Sequence, residues 1–564
     1  MSKYPNTFLL TAFFSIANLR SGQILARGDF IYHLQRIESF ADLIKEHQWF
    51  GLRNFTTFNQ IGVANNYFYP YVYIWIWAIP FVLINNPIVL YYAGLFVIML
   101  TGLALTYWCV LKYSGSKYQA LLVSVFFMTT PYHTFLLVNG AVLGESLACT
   151  FIPLFFYGLH KFFSSDKHNW QILAIALTLT AYAHVLTFLL EVIITVGAYL
   201  ISLFYKAHRL MRFISAVKAV ILFAMLTAFF WVPFLQEWLQ TDIQTTVVLP
   251  NVAWLSDFGN LITLMLTNAS LTGVVASPGL ASFIGLILIT VFWRKLDFEY
   301  RVIGIFGIIL LLCSTSLFPW YALPSAIQNT IQFPYRLFNL VSFCLILVGA
   351  HVVVQIMQKS RKLAQDSVRP LFLFFAIIGG GLVMYMSMLS FNNRAKLTKI
   401  PYTQPTTLKT AFNTDYKLDK NNYEVALQSP RKFFGTIDYA PKPTWLGNHQ
   451  DTLITHQVLV NNKKVRSHFE TNSRMITYHF KLQKAGWADV PVLHYGNEVV
   501  KLNGRSTSAK MSQRGSTLVK AKRGWNTVTI SAPLPWTFKV LLPVAIITWL
   551  GIIGWWIRQR KTNL

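Results

Sequence analysis

The stretch VILFAMLTAFFWVPFL, residues 220–235, carries no charged side chain at any position. A helix needs roughly 20 apolar residues to cross a bilayer, and this run approaches that length. Upstream of it stands YKAHRLMR (205–212), a basic cluster of the kind that stays on the cytoplasmic side of a membrane. The same pairing recurs along the chain. LLVSVFFMTT (121–130) and VIGIFGIILLLCSTSLF (302–318) are comparable runs. Thirteen hydrophobic segments are read, near residues 7–25, 69–84, 87–111, 118–138, 146–163, 170–186, 187–205, 214–236, 279–293, 302–318, 337–357, 369–391 and 537–557.

Composition agrees with that reading. The 564 residues are 54% hydrophobic and only 12% charged, against roughly 25% charged in soluble domains. The sequence therefore predicts a polytopic α-helical membrane protein. The clusters KYSGSK, HKFFSSDKH, YKAHRLMR, WRKLDFEYR, QKSRKLAQDSVR and RQRKTNL alternate with loops that lack them. They place both termini in the cytoplasm and residues 392–535 outside. Two cytoplasmic ends require an even number of crossings. The short, Tyr-rich YPYVYIWIWAIPFVLI (69–84), broken by Pro80, is the segment expected to be re-entrant or interfacial, leaving about 12–13 transmembrane helices.

Two pieces fall outside the membrane. Residues 26–69 read as a loop of amphipathic helices lying on the outer surface. Residues 392–535 have a different texture, alternating apolar and polar positions around Asn503-Gly504 and Arg523-Gly524. That is β-hairpin chemistry, and it predicts a β-sandwich-like extracytoplasmic domain before the last helix and basic tail (536–564). This region holds 22 Lys/Arg against 8 Asp/Glu, a difference of +14, about half of the net +27 of the chain. With the charge in loops and one β domain, the expected counterpart is anionic lipid or an anionic envelope polymer rather than nucleic acid. The four cysteines all lie in apolar runs without metal-ligand spacing, and read as small buried hydrophobes.

Polar residues gather on one predicted face. In GDFIYHLQRIES (28–39), Asp29, His33 and Arg36 are spaced i, i+4, i+7 and share one helix face. Asp29 reads either as a general base or divalent-cation ligand, or as a helix cap. His33 and Arg36 are candidate phosphate ligands, while Glu38 and Asp42 point elsewhere, toward solvent. Glu145, in LLVNGAVLGESLACT, lies between two apolar segments on the same face, either lining a cavity or capping the next helix. His184 and Glu191, in AYAHVLTFLLE, are a cavity-facing pair or an interhelical hydrogen bond. In NTIQFPYRLFN (329–339), Arg336 begins a span with Gln332 and Tyr335 beside it, placed to fork onto a phosphate or to snorkel. No P-loop, dinucleotide fingerprint, GxSxG or HExxH occurs.

GDFIYHLQRIES, GESLACTFIPLFFYGLHK, AHVLTFLL, IQFPYRLFN and the C-terminal LNG and VKAKRGWNTVTIS segments, in this order, resemble the GT-C superfamily of membrane glycosyltransferases. The closer resemblance is to bacterial membrane proteins of the YfhO-like, 6-pyruvoyl-tetrahydropterin synthase-related type. The resemblance implies a GT-C-like bundle over residues 1–391 in the bacterial cytoplasmic membrane. It further implies transfer of a sugar from a polyprenyl-phosphate donor to an anionic envelope polymer or glycolipid acceptor. Asp29 would then be the catalytic base or metal-associated acid, and Arg336 would bind the lipid phosphate. His33, Arg36, Glu145, His184, Gln332 and Tyr335 would help bind substrate. A divalent cation, Mg or Mn, accompanies some such enzymes. Phe30 follows Asp29 where many relatives carry a second acid, so no metal ligand set is assigned. The rival readings are a lipid or polysaccharide transporter or flippase, and a non-catalytic scaffold for envelope assembly.

Overall fold

The computed structural model of the chain describes residues 5–359 apart from 27–28, 85, 165–168, 205–207, 245–254 and 269–276, and residues 438–562 apart from 447–449. Between 360 and 437 it describes 374, 377–382, 384–385, 388, 416–421 and 423. Most of the predicted segment 369–391 thus lies outside the described residues.

The chain is a helical membrane protein carrying a β domain before its last helix. Six described helices are long and apolar enough to cross a membrane, counted by length and composition. They are α4 (Pro87–Ser114), α6 (Leu143–Ser164), α8 (Val185–Ser202), α9 (Arg209–Gln240), a span over Pro334–Gln358 whose helix is α12 (Phe338–Lys359), and α13 (Trp536–Thr562). A seventh is broken. Lys117–Met128 (α5) and Pro131–Val138 meet at a 47° bend, where Thr130 caps the second piece and Pro131 opens it. Three further apolar helices are shorter than a full crossing: α3 (Val72–Leu83), α7 (Trp170–Ala183) and α10 (Gly279–Val291). Two more predicted segments are also short helices, α1 (Pro5–Ser15) and α11 (Phe298–Cys313).

Among the described residues, six or seven helices therefore have full length, against an expectation of twelve to thirteen crossings over the whole chain. Hydropathy counts apolar residues and does not see where a helix stops. In α3, for example, Pro80 lies inside and the helix ends at Leu83. Local signals set such ends elsewhere too. Asn86 caps α4 by accepting from the Val89 amide at 3.2 Å, with Pro87 in the first turn, and Gly115 ends it in the left-handed region. Helix α10 lies close against α12. A Cβ at Gly285 would fall 2.3 Å from the Leu345 carbonyl, and one at Gly349 would fall 2.8 Å from Gly285 Cα. Small residues at a membrane helix crossing permit that approach.

Besides two short ladders, β1 (Ile24–Ala26) with β3 (Tyr416–Leu418) and β2 (Ile243–Gln244) with β4 (Ala440–Pro441), the β domain is a sandwich of two five-stranded antiparallel sheets. One has the order β11-β10-β14-β8-β7, comprising Arg505–Ser506, Val499–Leu502, Gly524–Ser531, Met475–Leu482 and Ser467–Thr471. The other has the order β12-β13-β9-β5-β6, comprising Lys510–Met511, Ser516–Ala521, Gly486–Leu493, Val458–Val460 and Lys463–Val465. Val490, Val492, Val519, Tyr478, Val528 and Ile530 fill the space between them. Asn503-Gly504 closes a two-residue hairpin, with Leu502 opposite Arg505 and both turn residues at positive φ. Arg523-Gly524 is not a hairpin. Strand β13 pairs with β9 and β14 pairs with β8, so the chain crosses here from one sheet to the other. Asn526 holds the crossover, accepting from the Lys522 amide and donating to the Lys522 carbonyl. A glycine at positive φ serves either geometry, which is why the sequence did not separate them.

Three polar contacts bolt the sandwich to the rest. Arg53 Nη1 meets Glu498 Oε2 at 2.9 Å, and its Nε and Nη2 donate to the Gly62 and Leu493 carbonyls. Glu237, near the end of α9, accepts from the Gly496 and Asn497 amides at 2.7 and 3.1 Å. Glu46 accepts from the Ser473 hydroxyl and amide.

Candidate functional site

Helix α2 (Phe30–Lys45) was expected to lie on the surface. Instead it is buried on nearly every side. Phe30, Leu34, Ile37 and Ala41, at helical spacing, belong to the main apolar core. Its polar side is roofed by the following loop, where Gln35 accepts from the Phe58 amide at 2.6 Å. The 26–69 segment is thus a wedge between the helices and the sandwich. Sequence periodicity reported the amphipathic face but not the protein that covers it.

Asp29 immediately precedes this helix. Its side chain makes no capping hydrogen bond, which removes the cap reading. The residue is exposed at its surface, yet protein surrounds it at longer range. Loss of surrounding water pushes its pKa up to about 6, with the Arg336 guanidinium pulling the other way. Tyr69 and Tyr439 stand nearby. Burial, then neighbouring charges that include Asp29, raise both phenols above their ordinary value, so both remain protonated donors at neutral pH.

Arg336 links Asp29 to Glu145. Its Nε lies 3.7 Å from Glu145 Oε2, while Nη1 donates to the Ile331 carbonyl at 2.9 Å and to Gln332 Oε1 at 3.3 Å. The guanidinium sits over the Phe333 ring at 4.8 Å, and Phe333 stacks on Tyr335. Nη2 makes no hydrogen bond among the described residues. Gln332 holds φ +58° and ψ −48°, a sparsely populated conformation for a residue with a Cβ. Such backbone strain persists where the surroundings fix it. Glu145 is buried and anchored: its Oε1 accepts from Tyr132 Oη at 2.6 Å and from Asn339 Nδ2 at 3.3 Å. Asn339 Oδ1 in turn accepts from Cys149 Sγ at 3.2 Å. Glu145 therefore caps nothing and holds Arg336 by charge.

The other predicted residues divide. Arg36 is fully buried, donating from Nε to Asn66 and from Nη2 to the Tyr69 and Pro70 carbonyls, with its guanidinium 4.9 Å above the Tyr69 ring. It braces the wedge rather than presenting a fork to a ligand, although its Nη1 has no partner among the described residues. His33 is buried beside Tyr32 and Tyr69, and neither ring nitrogen has a partner among the described residues. Burial, then the charges of Arg36 and His184, hold its pKa well below the ordinary value, so the ring is neutral. His184 caps α8, its Nδ1 2.8 Å from Thr187 Oγ1 and in reach of the Thr187 amide. Glu191 is buried and, among the described residues, pairs with neither His184 nor an arginine; its polar neighbour is Thr180. Glu38 is not solvated, since it accepts from Tyr423 Oη at 2.5 Å, whereas Asp42 sits 3.9 Å from Lys45.

Sequence reasoning passed over Tyr132, Asn339, Tyr69 and the Asp438-Tyr439 segment. Tyr132 follows the break at Thr130-Pro131, and Asn339 is one helical turn beyond Arg336; both signals were visible. Tyr439 was not foreseeable. It is carried in by pairing of Ala440–Pro441 with Ile243–Gln244, at φ +66°, and stacks on Phe68.

An apolar groove leads away from this cluster. It has a volume of about 740 Å³ and is lined by α4, α6, α8, α11 and α12. Leu337 and Leu340 stand at the end beside Arg336, and His160 and Glu299 at the other. From Leu337 to Leu347 it follows α12 for roughly 15 Å. As for a metal, no three His, Cys, Asp or Glu side chains converge among the described residues. Asp29 and Glu145 both feel the charge of the Arg336 guanidinium, Glu145 also feels that of Asp29, and no step is derived through a metal.

The buried polar network and the apolar groove belong to a helical membrane protein. The chain belongs to the family described as 6-pyruvoyl-tetrahydropterin synthase related domain, a membrane protein family, whose model matches residues 65–393. Among solved structures, ArnT from Cupriavidus metallidurans bound to undecaprenyl phosphate is similar at a TM-score of 0.39 and 11% identity, over 82% of this chain and 96% of that one. A likeness so distant transfers no role to any residue. No curated protein matches the chain.

Proposed function

We propose that the protein is a membrane glycosyltransferase of GT-C type, moving a sugar from a polyprenyl-phosphate donor to an anionic envelope acceptor on the outer face. The observation that carries this reading is adjacency: Leu337, which lines the apolar groove, directly follows Arg336. A carboxylate at the protein surface within the field of a guanidinium, and an apolar groove whose lining starts at the residue after that arginine, match the parts of a lipid-phosphate sugar. The acceptor hydroxyl attacks the anomeric carbon, and its proton passes to Asp29. The new C–O bond forms as the anomeric C–O bond to phosphate breaks. The electron pair leaves with the polyprenyl phosphate, whose charge Arg336 meets through Nη2. Glu145, Tyr132, Asn339 and Gln332 position Arg336, and the groove takes the tail.

Binding of undecaprenyl phosphate to the full chain in detergent, followed by native mass spectrometry, tests the reading. The phosphate form should bind, undecaprenol should bind at least tenfold more weakly, and Arg336→Gln should remove the difference. Asp29→Asn should bind the lipid normally and lose sugar transfer. Equal binding of the alcohol and the phosphate would refute the proposal, as would an Asp29→Asn chain that still transfers. A transporter would instead depend on Glu191 or His184.

A further inference from the structure

The sandwich carries a surface that the recess does not use. Trp525, at the start of β14, is 71% exposed, and Trp487, at the start of β9, is 42% exposed. Each points away from its own sheet, because its strand neighbour, Asn526 or Ala488, points into the sandwich, so the two indoles flank this end on opposite outer faces. Both also lie at the same end. The β8–β9 connection and the β13–β14 crossover form it, with Trp525 opposite Lys481 and Trp487 opposite Lys520.

Each indole has an ammonium at its ring: Lys481 Nζ is 6.0 Å from the Trp525 centroid, and Lys510 Nζ is 5.6 Å from that of Trp487. Lys522 and Arg523, both exposed, occupy the crossover between them. This end is also remote from the membrane helix. Strand β14 runs from Gly524 to Ser531, and α13 begins at Trp536. Eight residues of strand put roughly 26 Å between the crossover and the point where the chain turns to α13.

The charge is one-sided. Residues 458–531 hold 13 Lys/Arg against 3 Asp/Glu. Two of those acids are already committed, Asp489 to Arg514 and Glu498 to Arg53. An exposed indole offers a flat apolar face, and each of these carries one ammonium over its ring. Flat aromatic faces beside unneutralised ammonium groups complement a ligand with apolar ring faces and regular negative charge. A nonpolar peptide would leave the cations unmatched, and a lone anion would leave the indoles bare.

We propose that this end of the sandwich binds an anionic polysaccharide, stacking its sugar rings on Trp525 and Trp487 while Lys481, Lys510, Lys522 and Arg523 meet its charges. The surface deepens the reading of an anionic acceptor by naming where such a chain is held before its terminus reaches the recess. Binding is measured without transfer, so the two readings fail separately.

The test is affinity electrophoresis of the full chain in detergent through gels containing polygalacturonate, with neutral dextran as control. Polygalacturonate should retard the protein and dextran should not. Trp525→Ala/Trp487→Ala should weaken binding at least tenfold with unchanged circular dichroism, both side chains being at the surface. Lys481→Gln/Lys510→Gln should weaken it and flatten its salt dependence. Asp29→Asn should bind as the unsubstituted chain does. The proposal is overturned if the double tryptophan variant binds normally, if dextran binds equally, or if the tryptophan substitutions abolish binding to phosphatidylglycerol vesicles instead.

Discussion

Arg53 offers the sharpest test of how the recess is held. Its side chain is fully buried and that of Glu498 is 4% exposed. Substituting Arg53→Met keeps the length but removes the pair, two hydrogen bonds to the Gly62 and Leu493 carbonyls, and the guanidinium contact over Tyr495. Breaking a buried pair from one side costs about 3–5 kcal/mol, chiefly because the remaining charge is left uncompensated. Glu498 keeps His494 at 2.7 Å and Thr517 at 3.1 Å, which places the cost nearer the lower bound. At 1.4 kcal/mol per tenfold, that loss raises the population of the detached sandwich roughly a hundredfold or more. Pulse proteolysis of the full chain in micelles reads that population. Adding Glu498→Gln to Arg53→Met should recover part of the loss by removing the stranded charge. Burial pushes the Glu498 pKa up, but His494 and Arg53 outweigh it, and the net shift is downward. A carboxylate depressed in the folded state stabilises above its unfolded value and loses that contribution as pH falls through the folded one. The protection should therefore fade on acidification below about pH 4.5, the ordinary value, and fade less in the double variant. Wild-type protease resistance in Arg53→Met, or further weakening on adding Glu498→Gln, would refute the reasoning.

Three other outcomes follow from the candidate site. Asp29 must be ionised to accept a proton, so transfer should fall as pH drops through about 6 rather than through the ordinary 3.8. Arg336→Gln removes the cation that favours the carboxylate and should move that limb upward; a pH profile of single-turnover transfer checks both. Gly144→Ala would put a Cβ 2.5 Å from Tyr69 Oη and 2.9 Å from the Ala183 carbonyl. Such overpacking costs about 1–3 kcal/mol, and a lower thermal midpoint with reduced lipid binding is expected.

The parts legible in the sequence were those encoded by neighbours. The apolar run 220–235 lies within α9, and Asn503-Gly504 makes its hairpin, because spacing and turn chemistry act over a few residues. Asp29 and Arg336 were each visible as a charge beside an apolar run. That they approach one another was an expectation without a local signal, since the chain between them must first pack. Arg36 shows the converse. Its helical spacing from Asp29 was right, yet Asn66 and the Tyr69 and Pro70 carbonyls claim it, and those partners come from a loop whose course sequence periodicity does not define. Helix lengths failed for the same reason: hydropathy sums over a window, while ends are set by individual caps and prolines.

The sandwich and the recess are one mechanical unit. Arg36 is buried only because residues 46–69 cover the polar side of α2. That cover is fastened at Arg53 to Glu498 and the Leu493 carbonyl, and at Glu46 to Ser473. The far wall arrives by the same route: Tyr439 donates its amide to the Gln244 carbonyl and receives Tyr495 Oη on its own carbonyl. Remove the sandwich and α2 loses its roof, the neutral His33 gains water, and the surroundings that raise the Asp29 pKa thin out. Water would then return Asp29 toward an ordinary carboxylate, a weaker base for a hydroxyl proton. A sandwich that holds this cover in place would thereby help keep Asp29 above the ordinary carboxylate range. Substitutions at Arg53 should lower the pH limb of transfer before they abolish folding.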